Sequence, residues 1–141
     1  MIEALHEKSI IHRDIKPDNI MIDEDGYLKF TDLTSCKLID DRTYTLVGTP
    51  HYLAPEVFLS SGYDFAADFW SLGVCLYEFL AGRLPFDGED TLAIYKDISQ
   101  KRGVLQFPDH VRDEAAKDLI RALLQYSPDD RLTSPKQIRR H

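Results

Sequence analysis

The sequence predicts a mainly α-helical domain that carries one small β-hairpin near its start. One long apolar stretch, FAADFWSLGVCLYEFLAG, has the composition of a helix buried in a core. Two later stretches, DTLAIYKDISQ and RDEAAKDLIRALLQY, repeat apolar residues at helical spacing. The strand signal is smaller, because only two short apolar runs flank an Asp-Gly pair, at residues 25–26.

The composition is that of a soluble globular protein. The 141 residues are enough for one domain with its own core, and 43% are apolar and 29% charged. A formal net charge of −7 argues against non-specific binding to nucleic acid or to an anionic membrane surface. The long apolar stretch is interrupted by Asp68 and Glu78, so we expect a core helix and no membrane span.

The first half of the chain is predicted to contain a helix, the hairpin and a long loop. MIEALHEKSI has apolar residues at helical spacing and is interpreted as the last turns of a helix. NIMID and YLKFTD are the two strands of the hairpin. From TSCKLIDD to GTPHYLAPE turn residues predominate, which predicts a long loop stiffened at its far end by Pro50 and Pro55.

The second half is predicted to be helical. The core helix covers residues 65–81, and Gly82 ends it. The two amphipathic helices follow, and SPKQIRRH begins a last helix. The apolar face of the second amphipathic helix is predicted to consist of Ala115, Leu119, Ala122 and Leu123.

A polar cluster, HRDIKPDN, lies between two apolar runs that precede and follow it. The hairpin would bring Asn19 and Asp32 to the same end, beside Asp14. Their oxygens suit Mg²⁺, which binds a few protein oxygens plus phosphate. Asp14 could accept a proton from an attacking hydroxyl, and Lys16 could neutralise a transferred phosphoryl group. These residue types together indicate phosphoryl transfer.

Five motifs in order resemble those of the eukaryotic protein kinases, over nearly the whole chain. HRDIKPDN resembles the catalytic loop, DLT occupies the place of the metal-binding D-F-G, and APE ends an activation segment. DFWSLGVCLYEFLAG resembles the central helix of the larger lobe, and DDRLT its late arginine. The resemblance implies one partial kinase domain, with a catalytic loop at 12–19, an activation segment at 32–56 and a core helix at 65–82.

The resemblance also implies roles for the polar residues. Asp14 would be the catalytic base, and Lys16 would contact the γ-phosphate of ATP. Asn19 and Asp32 would hold Mg²⁺. Thr49 would hydrogen-bond to Asp14 and Lys16, which together with Lys16 itself implies a Ser/Thr kinase.

Further residues would regulate or brace the lobe. Arg13 would pair with a phosphorylated activation loop, because a guanidinium suits a dianionic phosphate. Thr45 is the preferred phosphosite, and Thr43 and Tyr44 are competitors. By the same resemblance, Asp68 would cap the backbone of the catalytic loop, and a buried ion pair would join Glu56 to Arg131.

The segments YTLVGTPHYLAPEV and LGVCLYEF are similar to the AGC group of kinases, and especially to its cGMP-dependent members. Acidic residues beside the site in that branch select basic residues ahead of the target Ser/Thr. Asp18 and Glu78 stand at the matching positions, so the expected partners are protein substrates with basic residues near Ser/Thr.

The chain departs from the family in two ways. It has no glycine-rich phosphate loop, strand Lys or positioning helix Glu, so we expect the larger lobe alone, truncated, with the small lobe absent and little activity in isolation. The second departure is Thr34, which stands where D-F-G has Gly and could distort how Asp32 meets Mg²⁺.

Alternative interpretations stay open. A non-catalytic pseudokinase lobe could bind partners through the helices between residues 90 and 126. A metallohydrolase using His12, Asp14, Asp32 and His51 is disfavoured, because no metal-ligand spacing such as H-x-x-E-H appears. His12 is better interpreted as a packed, hydrogen-bonded histidine. The two cysteines, Cys36 and Cys75, are interpreted as reduced thiols, which favours a cytoplasmic or nuclear location.

Overall fold

The computed structural model describes residues 1–102 and 104–141. Helices make up most of its regular structure, and the strands form two small antiparallel pairs, which confirms the predicted fold class. The helices are α1 (Ile2–His6), α2 (Pro55–Phe58), α3 (Ala66–Ala81), α4 (Thr91–Lys101), α5 (Glu114–Leu123) and α6 (Pro135–Ile138). The strands are β1 (Ile10–Ile11), β2 (Ile20–Ile22), β3 (Leu28–Phe30) and β4 (Lys37–Leu38).

The hairpin of β2 and β3 forms around the Asp-Gly turn that the sequence predicts. Ile20 pairs with Phe30 and Ile22 with Leu28. Gly26 adopts a φ of 85°, which suits glycine because it has no Cβ. The Asp23 carboxylate accepts hydrogen bonds from two backbone amides of the turn, at 2.8 and 3.1 Å. The turn is therefore fixed by its own side chain as well as by backbone pairing.

A second strand pair, β1 with β4, is not predicted from the sequence: β4 lies inside the predicted loop, and β1 lies where the first helix is predicted to end. Ile10 pairs with Leu38 and Ile11 with Lys37. Each strand has two residues, too few to show a period of two, and the partners are far apart in sequence. The pair fixes the start of the polar cluster against the segment that follows Asp32.

Helix α3 is the centre of the core. Most of its residues are buried, among them Trp70, Val74 and Cys75, and Gly82 ends it in the left-handed conformation with a φ of 69°. Trp70 stacks on Phe86, with ring centroids 5.5 Å apart. A helix that is apolar almost all round is stable only when other elements cover it.

Helix α5 packs on α3 with a face that overlaps the predicted one, since Leu123 is buried and Leu119 and Ala122 are half-buried. Ile120 and Leu123 are buried, and so is Leu124 just beyond the helix, whereas Ala115 is exposed. The prediction of Ala115 in the buried face is wrong. Leucine and isoleucine bury far more apolar area than alanine, so the larger side chains determine the rotation of the helix.

Across the described ranges, 1–102 and 104–141, no helix combines the length and the apolar character needed to cross a bilayer.

Candidate active site

The polar cluster forms a hydrogen-bonded set centred on the carboxylate of Asp14. Thr49 donates its hydroxyl hydrogen to Asp14 Oδ1 at 2.7 Å, and Asn19 Nδ2 donates to Asp14 Oδ2 at 3.0 Å. Lys16 Nζ donates to Thr49 Oγ1 at 2.8 Å and lies 3.2 Å from Asp14 Oδ2. Four residues from two separate segments, 14–19 and the stretch around Thr49, therefore meet at one carboxylate, whose side chain is still 13% exposed.

Asn19 is oriented by both protons of its amide. Nδ2 donates to the backbone carbonyl of Asp14 at 2.9 Å as well as to its carboxylate. The side chain is thus locked in position, because an amide nitrogen has only two protons to donate. Its Oδ1 accepts no hydrogen bond from the described residues, so this oxygen is available to a cation.

Asp32 lies at the same end of the hairpin as Asn19. The amide of Thr31 donates to the carbonyl of Asn19 at 3.1 Å, and Asp32 is the next residue. Its Oδ1 accepts two hydrogen bonds from Thr34, from the backbone amide at 2.9 Å and from the hydroxyl at 2.7 Å. These bonds, the hydroxyl's first, hold the pKa of Asp32 below its ordinary value. One oxygen is therefore already engaged by the residue that replaces glycine.

The open oxygens of Asn19 and Asp32 fit a Mg²⁺ ion that shares its ligands with a phosphate. Carboxylate and amide oxygens are the ligands that Mg²⁺ prefers. No three His, Cys, Asp or Glu side chains are grouped closely enough to hold a metal, as far as the described residues go. The expected ion would therefore depend on water and nucleotide oxygens as well as on the protein.

The backbone that carries the set is held by Asp68 of α3. Its Oδ2 accepts from the amide of His12 at 2.8 Å, and its Oδ1 from the amide of Arg13 at 2.9 Å. His6 donates through Nε2 to Oδ2 at 2.8 Å. Arg13 has a φ of 72°, a conformation that costs free energy for a residue with a Cβ, and the bond to Asp68 compensates for part of that cost.

His12 is a packed residue in the structure. It is fully buried, its ring lies 4.3 Å from that of Phe30, and its Nδ1 accepts from the amide of Asp14 at 3.3 Å. Burial lowers its pKa, with the nearby carboxylates opposing that effect. His12 is therefore a neutral, hydrogen-bonded imidazole packed in the core, as the sequence analysis predicts.

Glu56 and Arg131 form a buried bidentate ion pair. The two guanidinium nitrogens approach the two carboxylate oxygens at 2.6 and 2.9 Å. Arg131 also donates to the carbonyl of Ala66 at 2.9 Å, and its guanidinium lies 5.2 Å from the centre of the Trp70 ring. The pair joins α2 to the segment that precedes α6, and the bond to Ala66 adds the start of α3.

The three candidate phosphosites differ in access. Thr43 is 1% exposed, pairs with Tyr63 through two backbone hydrogen bonds of 2.9 Å, and accepts a hydrogen bond from Lys37. Tyr44 and Thr45 are exposed. The hydroxyl of Tyr63 donates to the carbonyl of Thr45 at 2.6 Å. Of the two threonines, only Thr45 is accessible to an enzyme.

Arg13 has a guanidinium nitrogen that is buried and lacks a hydrogen-bond partner among the described residues. Its Nε donates to the carbonyl of Ser35 at 2.6 Å. The buried nitrogen is the terminal Nη1. A buried donor without a partner is costly, so an acceptor brought by another group would be bound favourably here.

The two acidic residues predicted to select substrates differ in their environments. Asp18 is exposed, and Glu78 accepts a hydrogen bond of 2.6 Å from the hydroxyl of Tyr52. Burial, with the Glu78 carboxylate as a second cause, raises the pKa of Tyr52 far above its ordinary value. Tyr52 is therefore a neutral donor that orients Glu78.

Sequence reasoning missed three residues of this region, His6, Tyr52 and Tyr63. Each forms a hydrogen bond to a residue that the sequence does predict: His6 to Asp68, Tyr52 to Glu78, and Tyr63 to the carbonyl of Thr45. Their separation along the chain is 18 residues or more. The sequence offers no periodic or motif signal for such pairs.

Comparison with known proteins now identifies the family. Residues 1–141 match the protein kinase domain model. The chain is 53% identical over 133 residues to the cGMP-dependent protein kinase of Plasmodium berghei (strain Anka). That alignment covers 93% of this chain and 15% of the Plasmodium protein. It is 46% identical over 135 residues to the human cAMP-dependent protein kinase catalytic subunit PRKX, covering 96% of this chain and 37% of that protein.

A third relative is the cAMP-dependent protein kinase catalytic subunit of Dictyostelium discoideum, 48% identical over 87% of this chain and 18% of that protein. The chain thus spans well under half the length of each of these relatives. The match to the family model is nonetheless complete over the chain, and all three relatives are cyclic-nucleotide-dependent kinases by name. The chain belongs to the protein kinase family and is of the AGC type.

Proposed function

We propose that this chain carries the catalytic loop and activation segment of a protein serine/threonine kinase, which transfers the terminal phosphoryl group of ATP to protein hydroxyls. The observation that carries the proposal is the hydrogen-bonded set of Asp14, Lys16, Asn19 and Thr49. A carboxylate, an ammonium and an amide held together beside Asp32 have the chemistry that phosphoryl transfer requires.

In this proposal Asp14 accepts the proton of the attacking hydroxyl. Thr49 and Asn19 hold its carboxylate in one orientation, and Lys16 places a positive charge beside it, where negative charge increases during transfer. The free oxygens of Asn19 and Asp32 would hold Mg²⁺. Bound Mg-ATP would supply the phosphoryl group and neutralise part of its charge.

Regulation would act through Thr45. It is exposed on the activation segment, and Arg13 has a buried guanidinium nitrogen without a partner. A phosphate on Thr45 carries close to two negative charges at neutral pH and would suit that nitrogen. Thr43 is disfavoured because its hydroxyl is buried and already bonded to Lys37.

The substrates proposed are proteins with basic residues ahead of the target Ser/Thr. Asp18 is exposed, and Glu78 is held by Tyr52, so both present carboxylates that a basic side chain can meet. The net charge of −7 agrees with a cationic partner and not with nucleic acid. The free cysteines, Cys36 and Cys75, support a reducing location, in the cytoplasm or nucleus.

The test is a chimera. The aligned part of this chain replaces the matching segment of the Plasmodium berghei relative, an alignment of 133 residues. Phosphorylation of a Ser peptide with basic residues is then measured with Mg-ATP. We expect activity that Asp14→Asn reduces by at least about a hundredfold, since a positioned acid-base group contributes about 10²–10⁴-fold. Glu24→Gln, an exposed change outside the site, is the matched control.

The isolated chain is expected to transfer phosphate weakly or not at all. The 141 residues include no glycine-rich phosphate loop and no strand lysine to orient ATP. Robust turnover by the chain alone, abolished by Asp14→Asn, would contradict this expectation. An inactive chimera that folds would contradict the kinase proposal itself.

A second candidate is a non-catalytic lobe that binds protein partners through residues 90–126. The observation that favours it is the engagement of Asp32 Oδ1 by Thr34, which competes with metal binding. In the chimera, Thr34→Gly would then raise activity strongly from a very low level. Partner capture that survives Asp14→Asn and Asp32→Ala would also support this candidate.

A further inference from the structure

A second concave site lies apart from the Asp14 set. It is a cavity of about 960 Å³ between α1, α2, α3 and the segment that leads to α6, and its lining includes none of the residues assigned to phosphoryl transfer. Four aromatic rings line it, those of Tyr63, Phe65, Phe69 and Tyr126. This volume is within the range of small-molecule sites, which combine apolar walls with a few polar groups.

The titratable groups around this cavity leave an excess of negative charge. Two of its carboxylates are neutralised, because Glu56 pairs with Arg131 and Glu3 pairs with Arg139. Three other lining carboxylates have no cation within ion-pair distance among the described residues: Glu7, Asp64 and Asp129. Arg42 is the only other arginine or lysine among the lining residues. The unpaired groups therefore sum to a negative field.

Apolar walls and unpaired carboxylates together favour a cation with an apolar body. The rings act as walls, because Phe65 and Phe69 pack against the His6 ring and Arg102 already lies over Tyr126. A carboxylate at the rim offers a cation a charge-assisted hydrogen bond. The apolar walls require a ligand with an apolar or aromatic body. An anion of the same shape would be repelled by the carboxylates.

One residue connects the cavity to the catalytic loop. His6 lines the cavity, and its ring packs against Phe65 and Phe69 with centroids 4.8 and 5.3 Å apart. Its Nε2 donates to Asp68 at 2.8 Å, and the Asp68 carboxylate holds the backbone of the loop. A ligand that displaces the His6 ring would alter the hydrogen bonds that fix the loop.

We propose that this cavity binds a small organic cation with an aromatic body, and that its occupation is transmitted to the catalytic loop through His6 and Asp68. The site is separate from the proposed phosphoryl-transfer site, so either can be wrong without the other. Occupation would change the loop without any contact to Asp14.

The test is an NMR titration of the folded chain with benzamidine, alongside its neutral and anionic analogues, benzamide and benzoate. We expect saturable shifts of the His6, Phe65 and Phe69 signals with benzamidine, weaker binding of benzamide, and none of benzoate. The double variant Glu7→Gln/Asp129→Asn should weaken benzamidine binding about tenfold. The control Glu89→Gln/Asp109→Asn changes two exposed carboxylates outside the cavity and should leave the affinity within about twofold.

Transmission is measured at the amides of His12 and Arg13, which donate to Asp68. Benzamidine should change their hydrogen-exchange rates in the wild type. In His6→Phe, which keeps the ring but removes the bond, benzamidine should still bind without that change. Equal binding of benzoate, or equal weakening by the control variant, would overturn the cation site. Unchanged exchange at both amides in the wild type would overturn the transmission.

Discussion

At the scale of single residues, the site depends on buried charges that are each met by several partners. Asp68 is 1% exposed, yet its two oxygens accept three hydrogen bonds from His6, His12 and Arg13. Taking a carboxylate out of water is costly unless such bonds replace its hydration. Because two donors are backbone amides of the loop, stabilising the carboxylate and positioning the loop are the same interaction.

Removal of one partner from the buried ion pair should destabilise the protein strongly. Arg131→Met leaves the Glu56 carboxylate buried without its counter-charge, for which we expect a loss of about 3–5 kcal/mol in the free energy of unfolding. Urea denaturation followed by circular dichroism measures this loss. Arg139→Met is the matched control, because the Glu3–Arg139 pair is also bidentate but exposed, and its loss should hardly move the midpoint. Equal shifts in both variants would contradict the argument.

The pKa of Asp32 should rise when the Thr34 hydroxyl is removed. That hydroxyl is the largest cause of the lowered pKa, because it stabilises the ionised carboxylate. Thr34→Val keeps the backbone bond and loses the hydroxyl, so the carboxyl should titrate at a higher pH than in the wild type. Carbon-13 NMR of the side-chain carboxyl measures the change.

Thr31→Val, which removes an exposed hydroxyl one residue before Asp32, is the control for that titration. An Asp32 pKa that is the same in wild type and Thr34→Val would show that the hydroxyl does not hold the carboxylate in solution. Release of this oxygen would also make Asp32 a freer metal ligand, which links the pKa measurement to the proposed function.

At the scale of elements, the contact between α3 and α5 depends on the absence of a side chain at Gly73. A Cβ there would lie 2.9 Å from Leu123 Cβ and 2.9 Å from Leu124 Cδ2. Gly73→Ala should therefore destabilise the protein. Overpacking costs about 1–3 kcal/mol, which outweighs the gain of about 1 kcal/mol in helix propensity.

Coupling distinguishes this clash from a backbone effect. Leu124→Ala should partly relieve Gly73→Ala, so the double variant should lose less stability than the two single changes together. Gly82→Ala is the control, since nothing lies near its added Cβ and its cost comes from the φ of 69°. That cost should be additive with Leu124→Ala in thermal denaturation. Additivity at Gly73 as well would contradict a packing origin.

The elements also show which signals a sequence carries. Helix α3 is predictable because its 16 residues form one long apolar stretch. The hairpin is predictable because its turn needs glycine at position 26. The pair of β1 and β4 is not, since two-residue strands have no period. The predicted burial of Ala115 is wrong because the apolar pattern of α5 allows more than one face to be buried. Packing against α3 decides which face it is.

The same division applies to the site. The resemblance to a family assigns four of its residues: Asp14, Lys16, Asn19 and Thr49. In the structure, contacts of 2.7 to 3.2 Å connect their side chains. Tyr52 could not be assigned in this way, because its role depends on the distance to Glu78 across 26 residues. Chemistry that depends on local motifs is readable from sequence, whereas chemistry that depends on tertiary packing is not.

At the scale of the whole molecule, the hairpin presents apolar side chains to solvent. Ile22 and Leu28 are a cross-strand pair, 70% and 52% exposed, and Tyr27 in the turn is 72% exposed. Exposed apolar patches of this kind mark interaction surfaces or cause self-association. The 141 residues on their own are therefore expected to associate through this hairpin.

Replacement of the cross-strand pair should reduce that association. In Ile22→Lys/Leu28→Lys two like charges occupy the apolar patch and repel a second copy, so the sedimentation coefficient at high concentration should fall to that of a monomer. Leu92→Lys/Val104→Lys is the matched control, because these side chains are equally exposed, 75% and 72%, but lie outside the hairpin. A wild type that is monomeric at high concentration, or a control that dissociates equally, would refute the hairpin as the associating surface. The hairpin carries Asn19 and Asp32 at its base, at the opposite end from Ile22, Leu28 and the turn, so the two replacements leave these proposed metal ligands unchanged.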